Sequence, residues 1–327
     1  MSDFATVSIH ASQFPAAVRR DLIESLRSRQ VNHKFHYDSV KQTHKWLALH
    51  QAHSPSRHDP GCARIYDRSF AAAVAQIKSR SVHLIGLGCG GGQKDARLIK
   101  LMRAEGRQVA YSPCDVSTAM VLVARQAARD AGLVKACHPL VCDLATAGDL
   151  PDYFQHRTPA KARRLFTFFG MIPNFEPAMI LPRLAALVRP KDLLLFSANL
   201  APGKDYAQGM KSILPQYDNV LTRDWLMSFL TDLGMERSGG KLRMTIQDGG
   251  FGLKRVVAEF HFQRPRRVEL EGEQFDFTAG ESLRLFFSYR YTPDRVSGLL
   301  AQYDMEVRKQ WIAKSEEEGV FLCRRTV

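Results

Sequence analysis

Five glycines stand within seven residues, directly after an apolar run and before a helical pattern. They are Gly86, Gly88, Gly90, Gly91 and Gly92, and they follow Val82-His83-Leu84-Ile85. A strand, a glycine-rich turn and a helix form the opening βα unit of a Rossmann-like sheet, where glycine allows close approach and the helix N-terminus offers free N–H groups. The segment also fits the dinucleotide pattern G-x-G-x-x-G, which alone is a weak signal. The loop therefore predicts a nucleotide-like cofactor without specifying which one.

Two carboxylates follow the next two predicted strands. Asp115 comes after the second strand, where an acid can accept both ribose hydroxyls in an NAD enzyme or in an S-adenosylmethionine (SAM) enzyme. Its alternative role is to cap the next helix, which Ser117 could do equally well. Asp143 follows the third strand, where SAM methyltransferases place an acid toward the adenine amino group and an apolar residue, here Leu144, over the ring. The alternative for Asp143 is a loop-capping aspartate.

A lysine stands in the first turn of the helix that follows the glycine loop. There Lys94 opposes the helix macrodipole, at a cost of roughly 0.3–1 kcal/mol. The placement is explained if an anion such as a cofactor carboxylate docks beside it, and a solvated lysine is the alternative. A predicted hairpin after the fifth parallel strand is typical of Rossmann-like methyltransferases. Together these features favour SAM over NAD.

Five short apolar runs alternate with helical patterns along the chain. The predicted strands cover 82–87, 108–113, 138–142, 164–169 and 192–198, and the predicted helices between them cover 93–105, 117–131 and 177–188. This alternation predicts an α/β fold, a Rossmann-like parallel sheet with helices on both faces. Before it we predict a helix at 14–30, a loop-rich stretch from Asn32 to Pro60 and a helix at 62–79.

The pattern changes after Pro202. Residues 203–241 are predicted to form helix and loop, and residues 242–291 alternate as antiparallel strands do. A helix at 293–303 and two strands at 305–311 and 319–324 complete the predicted elements. The chain therefore combines the parallel sheet with a second, α+β lobe.

Composition limits the possible classes of function. The 327 residues suffice for two domains or for one large elaborated domain. The net charge of +13 comes from dispersed basic residues, which favours a solvated basic surface over a nucleic-acid site. No apolar run approaches the ~18–20 residues of a membrane span, and Met1-Ser2-Asp3-Phe4 lacks the pattern of a secretory signal. Six scattered cysteines without a C-x-x-C pair favour reduced thiols in the cytoplasm. His44, His50, His53 and His58 do not form a convincing metal motif, so we expect no metal.

A series of short motifs runs in order along the chain from about residue 33 to 327. They are Phe35-His36-Tyr37-Asp38, Leu87-Gly88-Cys89-Gly90 with Lys94, Pro113-Cys114-Asp115-Val116-Ser117, Cys142-Asp143-Leu144, Phe169-Gly170-Met171-Ile172-Pro173-Asn174-Phe175, Tyr217-Asp218-Asn219-Val220, Ala279-Gly280-Glu281 and Ser288-Tyr289-Arg290-Tyr291-Thr292. This series is more specific than any single motif, and it resembles the histidine-specific SAM methyltransferases of ergothioneine biosynthesis.

The resemblance implies a class I SAM methyltransferase domain at 59–201 and 283–327, and a substrate-binding lobe at 1–58 and 202–282. It implies SAM contacts from the glycine loop, its helix and the strand ends: Gly86, Gly88, Gly90, Lys94, Asp115, Val116, Ser117, Asp143, Leu144 and Gly170. Asn174 and Tyr217 would hold the amino and carboxylate groups of an amino acid, and Tyr37 would line the pocket. The alternatives are an ordinary loop residue for Asn174 and a packed aromatic for Tyr217.

Departures from the family pattern concern the substrate. The family grips the substrate imidazole with an acid two residues before a serine, and here Phe286 precedes Ser288. A phenyl ring cannot replace an acid–imidazole hydrogen bond. The family's paired tyrosines before a Pro-x-Arg segment appear as His53-Ser54 before Pro55-Ser56-Arg57, and Gly86 stands where an acid often precedes the glycine loop. The segment 170–174 is one residue shorter than the family norm. We infer that histidine is not the substrate.

Methyl transfer is an in-line displacement that needs an unprotonated nucleophile and exclusion of water. Tyr37 and His53 could assist as proton acceptors, although His53 could equally be a surface histidine. Phe168, Phe169, Phe286 and Phe287 indicate an apolar pocket, with strand packing expected for at least two of them. We therefore expect a methyltransferase that acts on the amine of a small amino acid or amino-acid-derived compound in secondary metabolism. The alternatives are a nucleic-acid methyltransferase, which the lack of a basic stripe disfavours, and a non-catalytic SAM-binding biosynthetic partner.

Overall fold

The computed structural model of the protein describes residues 4–54, 59–133 and 135–326. Its strands are β1 (Ser8–Ile9), β2 (Ser81–Leu87), β3 (Gln108–Asp115), β4 (Leu140–Val141), β5 (Arg163–Phe169), β6 (Leu193–Asn199), β7 (Gly240–Asp248), β8 (Lys254–Phe262), β9 (Arg266–Leu270), β10 (Glu273–Phe277), β11 (Ser282–Arg290), β12 (Met305–Ile312) and β13 (Glu318–Arg325). Its helices are α1 (Pro15–Arg27), α2 (Val40–His53), α3 (Pro60–Gln76), α4 (Gln93–Ala104), α5 (Thr118–Asp130), α6 (Leu150–Arg157), α7 (Pro177–Leu187), α8 (Tyr206–Tyr217), α9 (Val220–Asp232) and α10 (Pro293–Ala301).

The main sheet has eight strands in the order β1-β4-β3-β2-β5-β6-β13-β12. Strands β1 to β6 are joined by parallel pairings, and the hairpin of β12 and β13 adds to β6 in the antiparallel sense. Strands β2, β3 and β5 are buried along nearly their whole length, because helices cover both faces of the sheet. The structure confirms the predicted α/β class and the C-terminal hairpin.

The second lobe contains a three-stranded antiparallel sheet in the order β11-β8-β7 and a hairpin of β9 and β10. Its core gathers residues from α1, α9 and these strands, among them Leu26, Trp225, Phe260 and Phe275. Strand β11 lies in this sheet, so the pairing differs from the predicted boundary, which assigned everything from residue 283 to the SAM domain. Strand β1 likewise joins the main sheet rather than the second lobe.

The loop-rich stretch predicted between Asn32 and Pro60 is wrong for about half of its length, because α2 occupies Val40–His53. Ser39 accepts from the Gln42 backbone N–H and the Gln42 side chain accepts from Ser39, which forms a capping box. The helix shows little apolar periodicity. Its buried residues are the polar Gln42 and Thr43, Trp46 and Leu49 are only partly buried, and Val40 is exposed. Met1-Ser2-Asp3, Pro55-Ser56-Arg57 and His58, which entered the predictions above, lie outside the described residues.

Candidate functional site

A cavity of about 720 Å³ lies where the main sheet meets the second lobe. The carboxyl ends of the parallel strands open into it, through Leu87, Asp115, Asp143, Phe169 and Asn199. Ligands of open parallel α/β sheets bind at this edge. The far wall comes from the segment after α1 and from β11. The cavity therefore brings the predicted cofactor residues of the main sheet close to residues of the second lobe.

The glycine loop takes backbone conformations that other residues rarely adopt. Gly88, Gly90 and Gly92 have φ of +61°, +51° and +70°. A Cβ on Gly92 would lie 2.7 Å from the Cα of Ala124, so glycine here lets α4 and α5 approach closely. Helix α4 then begins without a side-chain cap, which leaves its first N–H groups free for a ligand.

Asp115 is held by the loop that it faces. Its two carboxylate oxygens accept from the backbone N–H of Gly90 at 2.9 Å and of Ser117 at 3.0 Å. Burial raises the pKa of this carboxyl, and the two N–H donors oppose that rise. Val116 also lines the cavity, whereas Ser117 lies outside it and caps α5 by accepting from the Met120 N–H. The structure thus places Asp115 at the cavity and gives the capping role to Ser117.

Asp143 lines the cavity, and one of its carboxylate oxygens has no hydrogen-bond partner among the described residues. Its Oδ1 accepts from the Ala145 N–H at 2.8 Å, while its buried Oδ2 has no hydrogen-bond partner within the described part of the chain. The Lys34 ammonium lies 3.8 Å from Oδ2. A buried acceptor without a donor is costly unless a ligand supplies one. The adenine amino group of SAM is such a donor, and Leu144 beside it also lines the cavity, so the residues fit this cofactor.

Lys94 lines the cavity from the first turn of α4 and contacts two groups that the sequence analysis did not identify. Its ammonium donates to the Tyr66 hydroxyl at 2.9 Å and lies 3.9 Å from Glu318, whose carboxylate also accepts from Tyr66. Burial lowers the pKa of Lys94, and Glu318 opposes that effect. Glu318 of β13 therefore supplies part of the negative charge that was predicted to lie beside Lys94. No sequence motif marks this residue.

Asp95 is a second cavity residue that the sequence analysis missed. It is buried, and it accepts from the Tyr111 hydroxyl at 2.7 Å and from the Thr167 hydroxyl at 2.8 Å. A Cβ on Gly86 would lie 2.2 Å from its Oδ2. The carboxylate of Asp95 thus lies beside Gly86 of β2, the position at which the family often has an acid. Gly86 itself makes room for it and does not line the cavity.

The second-lobe side of the cavity contains Tyr37, His33, Asn174, Arg284 and Phe287. The Asn174 amide donates to the Phe287 carbonyl at 2.9 Å, which leaves the amide oxygen of Asn174 as an acceptor. Burial and the nearby Asp115 raise the pKa of Tyr37. Tyr37 is therefore a neutral phenol at physiological pH, which argues against the proton-accepting role expected for it.

The His33 ring lies against Phe287, with centroids 4.5 Å apart, and its Nε2 accepts from the Phe287 N–H at 3.2 Å. Burial lowers the pKa of His33 well below its usual range, and the nearby His36, Arg284 and Arg255 add to this effect. The ring is therefore neutral. The hydrogen bond to Nε2 leaves the proton on Nδ1, which is buried without a partner among the described residues.

Several predicted substrate residues lie outside the cavity. The Tyr217 hydroxyl is 2.9 Å from the Ser288 hydroxyl and accepts from Arg290 at 3.1 Å, so these groups satisfy one another. Phe286 stacks on His33 at 4.9 Å and meets Trp225 edge-on at 5.6 Å between ring centroids. These residues belong to the packing behind the cavity wall.

Some of the remaining predicted site residues line the cavity and others do not. Gly170, Phe169 and Phe287 line the cavity, whereas Phe168 is buried in the core of the main sheet. His53 is exposed at the last position of α2 and does not line the cavity, so the structure gives no support for a catalytic role. Two of the four phenylalanines thus serve packing, as expected.

The cysteines, the possible metal ligands and the helices bear on whether the chain has other kinds of site. The six cysteines are free thiols. Among the described residues, no group of three or more His, Cys, Asp or Glu side chains is arranged to hold a metal ion. None of the described helices combines the length and the apolar character that crossing a membrane requires.

The Rossmann-like sheet, the glycine loop and the two strand-end acids define a class I SAM-dependent methyltransferase. The chain belongs to the family described as "Histidine-specific methyltransferase, SAM-dependent", whose sequence model matches residues 18–208 and 251–325. SAM is accordingly its cofactor, and a small molecule is its acceptor.

Named relatives share about a quarter of their residues with this chain. It is 25% identical to the N-methyltransferase imqF of Aspergillus flavus over 280 residues, which cover 83% of this chain and 73% of the relative. It is also 25% identical to the histidine N-alpha-methyltransferase of Mycobacterium tuberculosis over 329 residues, which cover 94% and 95% of the two chains. Among solved structures, magnesium protoporphyrin IX methyltransferase from Synechocystis PCC 6803 with bound SAH matches at 12% identity and a TM-score of 0.44, over 95% of this chain and 99% of that one.

Proposed function

We propose that this SAM-dependent methyltransferase methylates the amine nitrogen of an amino acid, or of an amino-acid-derived compound, other than histidine. One observation carries the proposal. Phe286 stands where the family places the acid that grips imidazole, and its ring packs between His33 and Trp225. That position offers no carboxylate to a substrate imidazole.

The carboxylate of Glu176 is not free to take over that role. Glu176 lines the cavity, but its two oxygens accept from Arg255 at 2.7 Å and from the Tyr289 hydroxyl at 2.6 Å. A carboxylate already paired in this way would have to exchange partners to bind imidazole. The engaged carboxylate of Glu176 therefore supports an acceptor other than histidine.

The apolar lining of the cavity supports an amine nucleophile, because it excludes water. The site needs no permanent base for such an acceptor, since the ammonium form can lose its proton to water before the amine enters. Phe169, Phe287 and Met171 line the cavity and limit water around the acceptor. A relative named as an N-methyltransferase is consistent with a nitrogen acceptor. A role in secondary metabolism is part of the same proposal.

The test offers histidine and, in parallel, other amino acids and small amines to the wild-type protein. Binding to the S-adenosylhomocysteine complex is measured by calorimetry, and methylated products are followed by mass spectrometry. We expect no histidine binding and no methylated histidine, and we expect methylation of at least one other amine. Methylation of histidine by the wild type, at a rate equal to that of any other amine, would overturn the proposal.

A further inference from the structure

Arg284 differs from the other cationic side chains that line the cavity. Lys34 pairs with Asp21, Lys94 approaches Glu318, and Arg97 pairs with Asp67. Arg284 donates to the side-chain oxygen of Gln30 at 2.6 Å, and within the described ranges no carboxylate oxygen lies within ion-pair distance of it. A half-buried guanidinium with only a neutral partner retains unused donors, since it carries five N–H groups.

The backbone holds Arg284 in a fixed position. Its N–H donates to the Arg29 carbonyl at 2.9 Å, and its carbonyl accepts from the Val31 N–H at 2.8 Å. These bonds tie β11 to the segment after α1 at the cavity wall. The guanidinium carbon of Arg284 lies 5.1 Å from the centre of the Phe287 ring. The group is therefore a positioned element of the wall, not a free surface side chain.

A second guanidinium lies near Arg284. Arg255 lies 5.1 Å from the centre of the same Phe287 ring, and it pairs with Glu176. Desolvation and the charge of Arg255 lower the pKa of Arg284, while Glu176, Tyr289 and the cross-strand neighbour Glu259 oppose that effect in part. The charged form of Arg284 is therefore destabilised on balance, and an anion bound in the cavity would stabilise it.

We propose that the acceptor carries a carboxylate that binds Arg284 while an apolar part of the molecule packs on Phe287. The guanidinium fork matches the two oxygens of a carboxylate, and a charge-assisted pair of this kind discriminates strongly against a neutral amide. This inference rests on the proposed function, because it names the class of amine that the site accepts. The carboxylate is either the α-carboxylate of an amino acid or a second one on its side chain.

The first test uses binding alone, so that it does not depend on an amine acceptor. The full chain with bound S-adenosylhomocysteine is titrated with 3-phenylpropanoate and with its neutral amide. We expect the carboxylate to bind at least tenfold more tightly in the wild type, about equally in Arg284→Gln, and with a partial preference in Arg284→Lys. Arg267→Gln, on exposed β9 outside the cavity, keeps the wild-type preference. Equal binding of the two probes, no binding of either, or a preference that survives in Arg284→Gln would overturn the inference.

Turnover then distinguishes the two sources of the carboxylate. Discrimination between L-phenylalanine and L-phenylalaninamide reports an α-carboxylate, and discrimination between L-glutamate and L-glutamine reports a side-chain carboxylate. Whichever discrimination the wild type shows must disappear in Arg284→Gln. If no amine is methylated although the probe preference holds, the proposed function fails and the carboxylate site stands. If amines are methylated without either discrimination, the carboxylate site fails alone.

Discussion

Asp95→Asn tests whether the carboxylate beside the glycine loop contributes to cofactor binding. Burial raises the pKa of Asp95 from 3.8 to about 6, and hydrogen bonds from Tyr111 and Thr167 oppose the rise. SAM carries a cationic sulfonium and an ammonium group, so the ionised form of Asp95 binds it better than the neutral form does. By linkage, SAM affinity falls as the pH drops through the pKa of Asp95.

The size of the effect follows from that pKa. At pH 7 about nine tenths of Asp95 is ionised, and at pH 5 about one eleventh is, so affinity changes by about tenfold if only the ionised form binds. The asparagine variant keeps an oxygen for the Tyr111 hydroxyl but cannot ionise. Its SAM affinity is therefore weaker at pH 7 and loses this part of the pH dependence. The pKa of Asp115 is also raised, so a residual dependence remains in both proteins.

Calorimetric titration with SAM at pH 5, 6 and 7 measures this difference directly. Asp130→Asn is the matched control, because Asp130 is exposed at the end of α5, accepts from the Gln126 side chain and does not line the cavity. We expect the control to follow the wild type. Identical pH profiles for wild type and Asp95→Asn would refute the reasoning, because Asp95 would then be unconnected to the bound cofactor.

Three further predictions concern the cofactor end and the core. Asp143→Asn leaves a neutral acceptor in place of a charged one, so the SAM dissociation constant should rise about fivefold, roughly 1 kcal/mol, and an unchanged constant by calorimetry would contradict an adenine contact. Arg164→Ala removes the buried ion-pair partner of Asp192, whose carboxylate then keeps the Arg189 backbone N–H as a donor. Urea unfolding should show a loss of about 3–5 kcal/mol in the free energy of unfolding, with less than 1 kcal/mol as the contrary result. Gly92→Ala should lower the melting temperature more than Gly170→Ala, since both glycines have φ of +70° but only Gly92 lacks space for a Cβ, and equal losses would show that crowding is unimportant.

The residues that we expect to contact the cofactor could be predicted from the sequence, because a residue that follows a parallel strand lies at the carboxyl edge of the sheet. Asp115 and Asp143 each follow a predicted strand, and parallel strands present their carboxyl ends at one edge. Lys94 was identified by its place in the first helical turn. Its partner Glu318 was not, because β13 joins the sheet from the far end of the chain and no local pattern marks it. Asp95 was missed for a similar reason, since only the folded chain shows that it fills the space beside Gly86.

The residues that we expect to contact the acceptor were harder to predict from the sequence, because their positions depend on which face of strand β11 each side chain occupies. Strand β11 has an irregularity between Arg284 and Phe286, which shifts the register against β8. A shift of one residue exchanges the two faces of a strand. Phe287 and Arg284 therefore line the cavity, while Phe286 and Ser288 lie behind it. The resemblance identified the strand correctly, but the sequence contains no signal for the irregularity.

The most direct test of the account is to find the atom that receives the methyl group. The full chain is incubated with SAM labelled by a trideuterated methyl group and with a mixture of amino acids and small amines that includes histidine. Mass spectrometry with fragmentation then locates the label. The account predicts label on the amine nitrogen of a compound other than histidine. Label on histidine, or bound SAM without any transfer of label, would contradict it.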